Sequence, residues 1–100
     1  MAYEIVRKKR FLTKLIRLII FLENEWSFSV ATNFLKKIDD HTELIANQPL
    51  IGTETGVKNV RSVLITKQNR LYYKISDKKV IIMNMYDTRI NPNKNPFKKR

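Results

Sequence analysis

The sequence predicts an α+β domain in which an N-terminal strand and an antiparallel hairpin of two helices pack on a small, twisted, mainly antiparallel sheet. Two observations predict this class. Apolar residues recur at helical spacing in the first half of the chain, and three short segments rich in β-branched and aromatic residues follow in the second half. A chain of 100 residues supports one domain with one modest core, which we expect over residues 1–97, with a basic tail at residues 98–100.

The first helix is predicted over residues 11–22, where apolar side chains recur at steps of three and four residues. Phe11, Leu18, Ile20 and Phe21 widen the apolar surface beyond one stripe, which indicates a helix that is either buried on more than one side or completed by a partner. We predict that Phe11, Leu18 and Phe21 contact a protein partner. The stripe itself consists of Leu12, Leu15, Ile16, Ile19 and Leu22.

The same stretch imitates a signal peptide, because the basic residues 7–10 precede it. Lys14 and Arg17 interrupt its apolar residues, however, and no small-residue cleavage site follows. The uncharged part, residues 18–22, is far shorter than the roughly 20 residues of a spanning helix. Since the chain also lacks cysteine, the sequence predicts a cytoplasmic protein with no membrane partner.

The second helix is predicted to begin near Ser27 or Ser29, either of which can cap its N-terminus, and Pro49 and Gly52 end it. The short joint at residues 25–27 requires the two helices to run antiparallel. The apolar positions of this helix are Val30, Ala31, Phe34, Leu35, Ile38, Leu44 and Ile45.

Four strands complete the prediction. Residues 1–6 supply the first, and residues 60–66, 71–75 and 80–86 supply the others, because each of these segments is bounded by polar turn residues. The expected order is therefore β-α-α-β-β-β, with the helix hairpin on one face of the sheet.

Positive charge is concentrated in the half of the chain that forms the sheet. Residues 55–100 carry twelve Lys or Arg and two acidic residues, a balance of +10 out of the chain's +11. Alternation places Arg70, Tyr72 and Lys74 on one face of the third strand, while their apolar neighbours should face the helices. A basic face of this kind predicts an acidic partner, either nucleic acid, an anionic membrane or an acidic protein.

Short motifs spread over nearly the whole chain point to a known family. Residues 49–52 (Pro-Leu-Ile-Gly) end the second helix, and Arg61 opens the next strand. Residues 69–73 (Asn-Arg-Leu-Tyr-Tyr) resemble a Tyr-Arg-hydrophobic-x-Tyr strand, and residues 86–92 (Tyr-Asp-Thr-Arg-Ile-Asn-Pro) resemble a characteristic chain ending. These features, in this order, resemble the RelE/ParE superfamily of toxins from type II toxin–antitoxin systems. Within the helix hairpin, the resemblance also rests on the spacing of four residues, which is similar to that in ParE-like members: Phe21, Trp26, Ala31 and Phe34.

The resemblance implies a growth-inhibiting toxin that a cognate acidic antitoxin wraps, and it leaves the target open. RelE-like toxins enter the ribosomal A site and cleave mRNA, whereas ParE-like toxins inhibit DNA gyrase. The hairpin and the chain ending favour the ParE-like group. The sequence contains no cluster of His and Cys residues that would predict a metal site, and we expect no cofactor. A basic nucleic-acid-binding module without toxicity is a third hypothesis, which the lack of a single-strand-binding signature disfavours.

RNA cleavage would need a base, an acid and cations around the scissile phosphate. Arg70 matches an arginine of RelE-like nucleases, Arg89 falls near a second one, and Arg61 adds a third cation. Tyr86 is a candidate for proton transfer, but it matches no catalytic position of the family well, and the sole histidine, His41, lies on the second helix. Since this catalytic set is incomplete, we predict a role in target binding for Arg61, Arg70, Tyr72, Lys74 and Arg89.

Overall fold

The computed structural model describes residues 2–89 and Phe97, and it confirms the predicted α+β class. The elements in chain order are β1 (Glu4–Arg7), α1 (Lys9–Glu25), α2 (Phe28–Asn47), a 3-10 turn (Pro49–Ile51), β2 (Thr53–Glu54), β3 (Val60–Thr66), β4 (Asn69–Ser76) and β5 (Lys79–Asp87). The two-residue strand β2 was not predicted. The expected tail at residues 98–100 lies outside the described residues.

The strands form one sheet in the order β1-β5-β4-β3-β2. Neighbouring strands are antiparallel, except that β1 runs parallel to β5. The parallel pair is possible because the helix hairpin provides the long crossover that parallel strands require. β1 pairs with β5 only from Lys79 to Ile82, so it leaves the rest of β5 without a strand on that side within the described residues.

Ser27 separates the two helices. Its backbone is extended and its side-chain oxygen accepts a 3.1 Å hydrogen bond from the Val30 N–H, the geometry of a helix N-cap. This confirms one of the two predicted caps. Neither α1 nor α2 combines the length and the apolar content needed to cross a bilayer, which holds for the described part of the chain.

The core lies between the helix hairpin and one face of the sheet. It joins Phe11 of α1 and residues of α2 to the apolar side chains of β4 and β5. The predicted apolar stripe of α1 is wrong in part, because Leu12 and Ile16 are exposed. Phe11 is only 1% exposed and replaces them in the core, while Leu15, Leu18, Ile19 and Leu22 pack around it.

Candidate target-binding face of the sheet

The pairing register decides which side chains lie on each face of the sheet. Leu71 and Tyr73 are fully buried against the helices, so the alternating Arg70 and Tyr72 lie on the opposite face, which we call the outer face. Cross-strand partners share a face. The outer face therefore comprises Thr53, Val60, Ser62, Leu64, Arg70, Tyr72, Lys74, Ile81, Asn84 and Tyr86.

Arg70 is held at the centre of this face by its neighbour on β3. Its Nη1 donates a 2.9 Å hydrogen bond to Ser62 Oγ, and the residue is partly buried. Tyr86 lies directly across from Arg70 on β5. An open pocket of about 420 Å³ borders the guanidinium, lined by Thr53, Glu54, Thr55, Gly56, Ser62, Arg70, Tyr72 and Phe97. The arrangement presents a fixed cation beside a pocket, which suits recognition of an anionic or polar group.

Tyr72 contributes to this face differently from the prediction. Its side chain is only 3% exposed, because the Phe97 ring stacks on it at 5.0 Å and 21°. Tyr86 packs against both rings edge-on, at 5.9 Å and 6.3 Å. Phe97 therefore occupies the surface where the prediction expected Tyr72. Lys74, on the same strand, is exposed as expected.

Lys14 connects α1 to the end of β5 beside this face. Its Nζ donates a 2.8 Å hydrogen bond to the Met85 carbonyl oxygen and lies 4.2 Å from the centre of the Tyr86 ring. The Met85 carbonyl is open to this contact because β1 has already ended. Burial lowers the pKa of the Lys14 amine, and the nearby Arg10 lowers it further. The sequence showed only that Lys14 interrupts an apolar stretch, so its role was missed.

Arg61 does not join Arg70, so the hypothesis that it adds a third cation beside Arg70 is wrong. It pairs across the strands with Tyr73, which places it on the helix side of the sheet. Its Nη1 donates to the Gly52 and Leu50 carbonyl oxygens at 2.7 Å and 3.3 Å, and its Nη2 lies 3.4 Å from Glu54 Oε2. Arg61 therefore anchors the segment between α2 and β3.

Arg89 is held by an acidic neighbour at the end of β5. Its Nε and Nη2 donate to the two carboxylate oxygens of Asp87 at 3.0 Å and 2.7 Å. These hydrogen bonds lower the pKa of Asp87 to about 2 and raise that of Arg89. A target that uses Arg89 must compete with this bidentate pair.

The predicted partner-binding residues of α1 separate in the structure. Phe11 lies in the core, so the expectation that it contacts a partner is wrong, whereas Leu18 packs against the core and is partly buried. Phe21 is 52% exposed and keeps its predicted place on the surface. Further exposed apolar side chains join it: Leu12, Ile16 and Ile20 on α1, and Trp26 and Phe28 at the tip of the hairpin.

Proton-transfer and metal-binding groups are sparse around the outer face. His41 lies on α2, where its Nδ1 is 2.7 Å from the Lys37 carbonyl oxygen. Within the described residues, no three His, Asp or Glu side chains come together as metal ligands would. What the outer face brings together is Arg70 and Tyr86, without Arg61.

Comparisons with known proteins agree with this architecture. Residues 5–92 match the family model for the ParE toxin of the type II toxin–antitoxin system parDE. No curated protein sequence matches the chain. Among solved structures, the chain is similar to the chromosomal ParDE toxin–antitoxin system of P. aeruginosa, with a TM-score of 0.72 and 10% identity over 86% of this chain and 96% of that one.

Two further structures extend the similarity to other branches of the fold. A YoeB/ParE toxin from Agrobacterium tumefaciens has a TM-score of 0.60 and 14% identity, over 84% of this chain and 97% of that one. The E. coli RelBE toxin–antitoxin complex has a TM-score of 0.57 and 18% identity, over 89% of this chain and 100% of that one. At such identities these likenesses establish the fold, whereas the family model matches most of the sequence. The chain therefore belongs to the ParE toxin family of type II toxin–antitoxin systems.

Proposed function

We propose that this toxin arrests growth by inhibiting DNA gyrase, and that a cognate acidic antitoxin neutralises it in the cytoplasm. The match of residues 5–92 to the ParE family model carries the proposal, since gyrase inhibition is the activity that the ParE-like resemblance implies. The outer face is the surface that we assign to the target. Arg70, Lys74 and the exposed part of Tyr86 supply its polar contacts.

The arrangement of the arginines supports a binding role over a catalytic one. A nuclease would need several cations around one phosphate, together with groups that transfer protons. Arg61 is engaged on the helix side, and Arg89 is engaged by Asp87. Arg70 is thus the one of the three that lies on the outer face with its guanidinium beside the pocket.

The alternative function is a ribosome-dependent mRNA endonuclease of the RelE type. One observation favours it: Arg70 and Tyr86 are cross-strand partners on an open basic face, which would place a cation and a phenol beside one phosphate. In that case Arg70 would stabilise the charge on the phosphate and Tyr86 would take part in proton transfer.

The apolar surface of the helix hairpin supports an antitoxin partner. Leu12, Ile16 and Ile20 recur every four residues on α1 and are 38%, 58% and 51% exposed. Side chains of this kind serve as anchors when a partner segment covers them. The solved relatives include a toxin–antitoxin complex, E. coli RelBE, in which the toxin is bound to its partner.

A supercoiling assay with purified components tests the target. Added to gyrase, ATP and relaxed plasmid, the toxin should block supercoiling, and the block should disappear when its antitoxin is added first. Ribosomes programmed with a short mRNA form the parallel reaction. Cleavage of that mRNA in the A-site codon, together with unimpaired supercoiling, would replace our proposal with the nuclease alternative.

A further inference from the structure

One group of charges has no part in the target face described above. Six cations and no acidic residue lie between Arg7 and Arg17. In the structure these residues form the end of β1 and the N-terminal half of α1, and the first acidic residue of the helix is Glu23. The ion pairs of the described residues, Lys36–Asp40, Arg61–Glu54 and Arg89–Asp87, all lie elsewhere.

The helix gathers three of these cations on one side. At 3.6 residues per turn, Arg10, Lys14 and Arg17 fall within about 60° of one another around the axis. They line an open groove of about 490 Å³ together with Lys9 and Thr13. We call Lys9, Arg10, Lys14 and Arg17 the cationic ridge.

Folding does not account for this arrangement. Cations at the N-terminal end of a helix oppose its macrodipole, which favours acidic side chains there. The first turn of α1 contains no acidic residue, and its N-cap residue, Lys8, makes no side-chain capping bond. Arg10 and Arg17 are exposed, so they do not contribute to the core either. The positive charge therefore points to a ligand.

The surroundings of the ridge indicate what kind of ligand it takes. A protein segment binds through apolar anchors, and the exposed Leu12 and Ile16 lie about 100° or more around α1 from Arg10, Lys14 and Arg17. The exposed Ile20 and Phe21 lie within about 60° of Arg17, beyond the C-terminal end of the ridge. An amphipathic helix on a membrane would insert the apolar residues beside its cations. Here the apolar residues beside Arg10 and Lys14, Phe11 and Leu18, belong to the core or pack on it. The part of the ridge from Arg10 to Arg17 therefore favours a ligand that binds through several negative charges.

The dimensions of the ridge suit a phosphodiester backbone. From Arg10 to Arg17 the helix rises about 10 Å, the length over which one strand of B-DNA presents about three phosphates. A second pocket, of about 380 Å³, continues from Lys9 and Arg10 to the rings of Tyr86 and Phe97. Aromatic rings beside a cationic groove provide the stacking surface that an unpaired base uses.

We propose that the cationic ridge of α1 binds the phosphodiester backbone of a nucleic acid. This contact adjoins the target face at Tyr86 and Phe97 and does not depend on gyrase being the target. Lys14 contributes from a fixed position, because its hydrogen bond to Met85 holds its amine at the edge of the sheet.

Two charge-matched variants of the full chain test the proposal. Arg10→Gln/Arg17→Gln removes two ridge cations and spares Lys14, whereas Lys36→Gln/Lys37→Gln removes two exposed cations from α2. Binding to a fluorescent DNA duplex, and to oligo(dT) of the same length, is measured by anisotropy over a range of salt concentrations. The ridge variant should lower affinity about tenfold and reduce the salt slope for duplex by roughly 1.8, about 0.9 for each lost phosphate contact. The control variant should change affinity less than about twofold, as expected for exposed charges away from the ligand.

The melting temperature separates binding from folding. Removing Arg10 relieves an unfavourable interaction with the macrodipole, so the ridge variant should melt at the same temperature as the unmodified chain or higher. The two DNA probes show whether a duplex or a single strand is preferred, and a preference for either supports the ridge. Equal losses in both variants would mean that net charge alone attracts DNA, and would overturn the proposal. Binding to polyglutamate is measured in the same way. The proposal would also be overturned if the ridge variant bound DNA as well as the unmodified chain does but no longer bound polyglutamate, because the ridge would then bind an acidic protein.

Discussion

The Tyr73 hydroxyl donates a 2.6 Å hydrogen bond to the Pro49 carbonyl oxygen and so ties the centre of the sheet to the chain that leaves α2. The same oxygen accepts a 3.0 Å hydrogen bond from the Gly52 N–H. Only glycine fits at position 52, since a Cβ there would lie 2.6 Å from the Tyr73 oxygen and 2.9 Å from the Ser62 carbonyl oxygen. Arg61 donates a hydrogen bond to the Gly52 carbonyl oxygen, so both the N–H and the carbonyl group of Gly52 are hydrogen-bonded.

Tyr73→Phe should therefore destabilise the fold. It leaves the part-buried Pro49 carbonyl and the buried Gly52 N–H without their partner, a loss of about 1–3 kcal/mol in the free energy of unfolding. Urea denaturation measures this loss. Tyr3→Phe is the control, because Tyr3 is a partly buried tyrosine that packs beside the core. Similar stability losses in the two variants would show that the Tyr73 hydrogen bonds contribute nothing particular.

The Asp87–Arg89 pair should appear in a pH titration. The pKa of Asp87 is lowered to about 2, mainly by the Arg89 side chain, so the carboxylate favours the folded state above the unfolded-state pKa. That contribution should be lost as the pH falls from about 4 through 2. Carboxyl NMR of the folded protein measures the pKa directly. Arg89→Ala should return it towards 3.8, and an unchanged low value would show that Arg89 is not its cause.

Antitoxin binding should depend on the exposed apolar residues of α1. Ile16→Glu/Ile20→Glu places two charges where an apolar contact is expected, so co-purification with the antitoxin should be lost while the core is untouched. Ser29→Glu/Asn33→Glu makes the same charge change on the exposed side of α2 and should retain the complex. Retention of the antitoxin by the α1 variant would move the binding site to another surface.

Growth inhibition should depend on Arg70 and not on the terminal cations. Arg70→Ala should weaken toxicity about tenfold, the loss expected for an arginine central to an interface. Its melting temperature should change little, because the Ser62 hydroxyl that it leaves borders the open pocket, where water can replace the guanidinium. Deleting Lys98, Lys99 and Arg100 should have a much smaller effect. Growth is compared at matched expression, and the reverse order of effects would remove the outer face from the mechanism.

Local sequence patterns predicted the elements of this fold more reliably than their orientation. Composition alone predicts the strands at residues 60–66 and 80–86. A single hydroxyl predicts the cap at Ser27. The side of α1 that faces the core did not follow, because apolar residues surround much of this helix. The stripe that includes Leu12 and the one that includes Phe11 fit the helical period equally well, and only packing on the sheet chooses between them.

The site was harder to predict because it depends on register. Arg70 and Tyr72 lie on the outer face as alternation along one strand requires. Arg61 lies on another strand, and its face is set by the turn and by the irregularity between Leu64 and Thr66, which no local pattern encodes. The contact of Lys14 with Met85 is likewise non-local, since it joins residues 71 positions apart.

The most direct test of the account follows DNA and protein synthesis in one bacterial culture after the toxin is induced. Pulse labelling with thymidine and methionine, with and without the antitoxin, gives both rates over time. Gyrase inhibition predicts that DNA synthesis stops and the DNA-damage response begins while protein synthesis continues at first, and that the antitoxin prevents both effects. An immediate stop in protein synthesis, with new mRNA 5′ ends inside codons, would contradict the account.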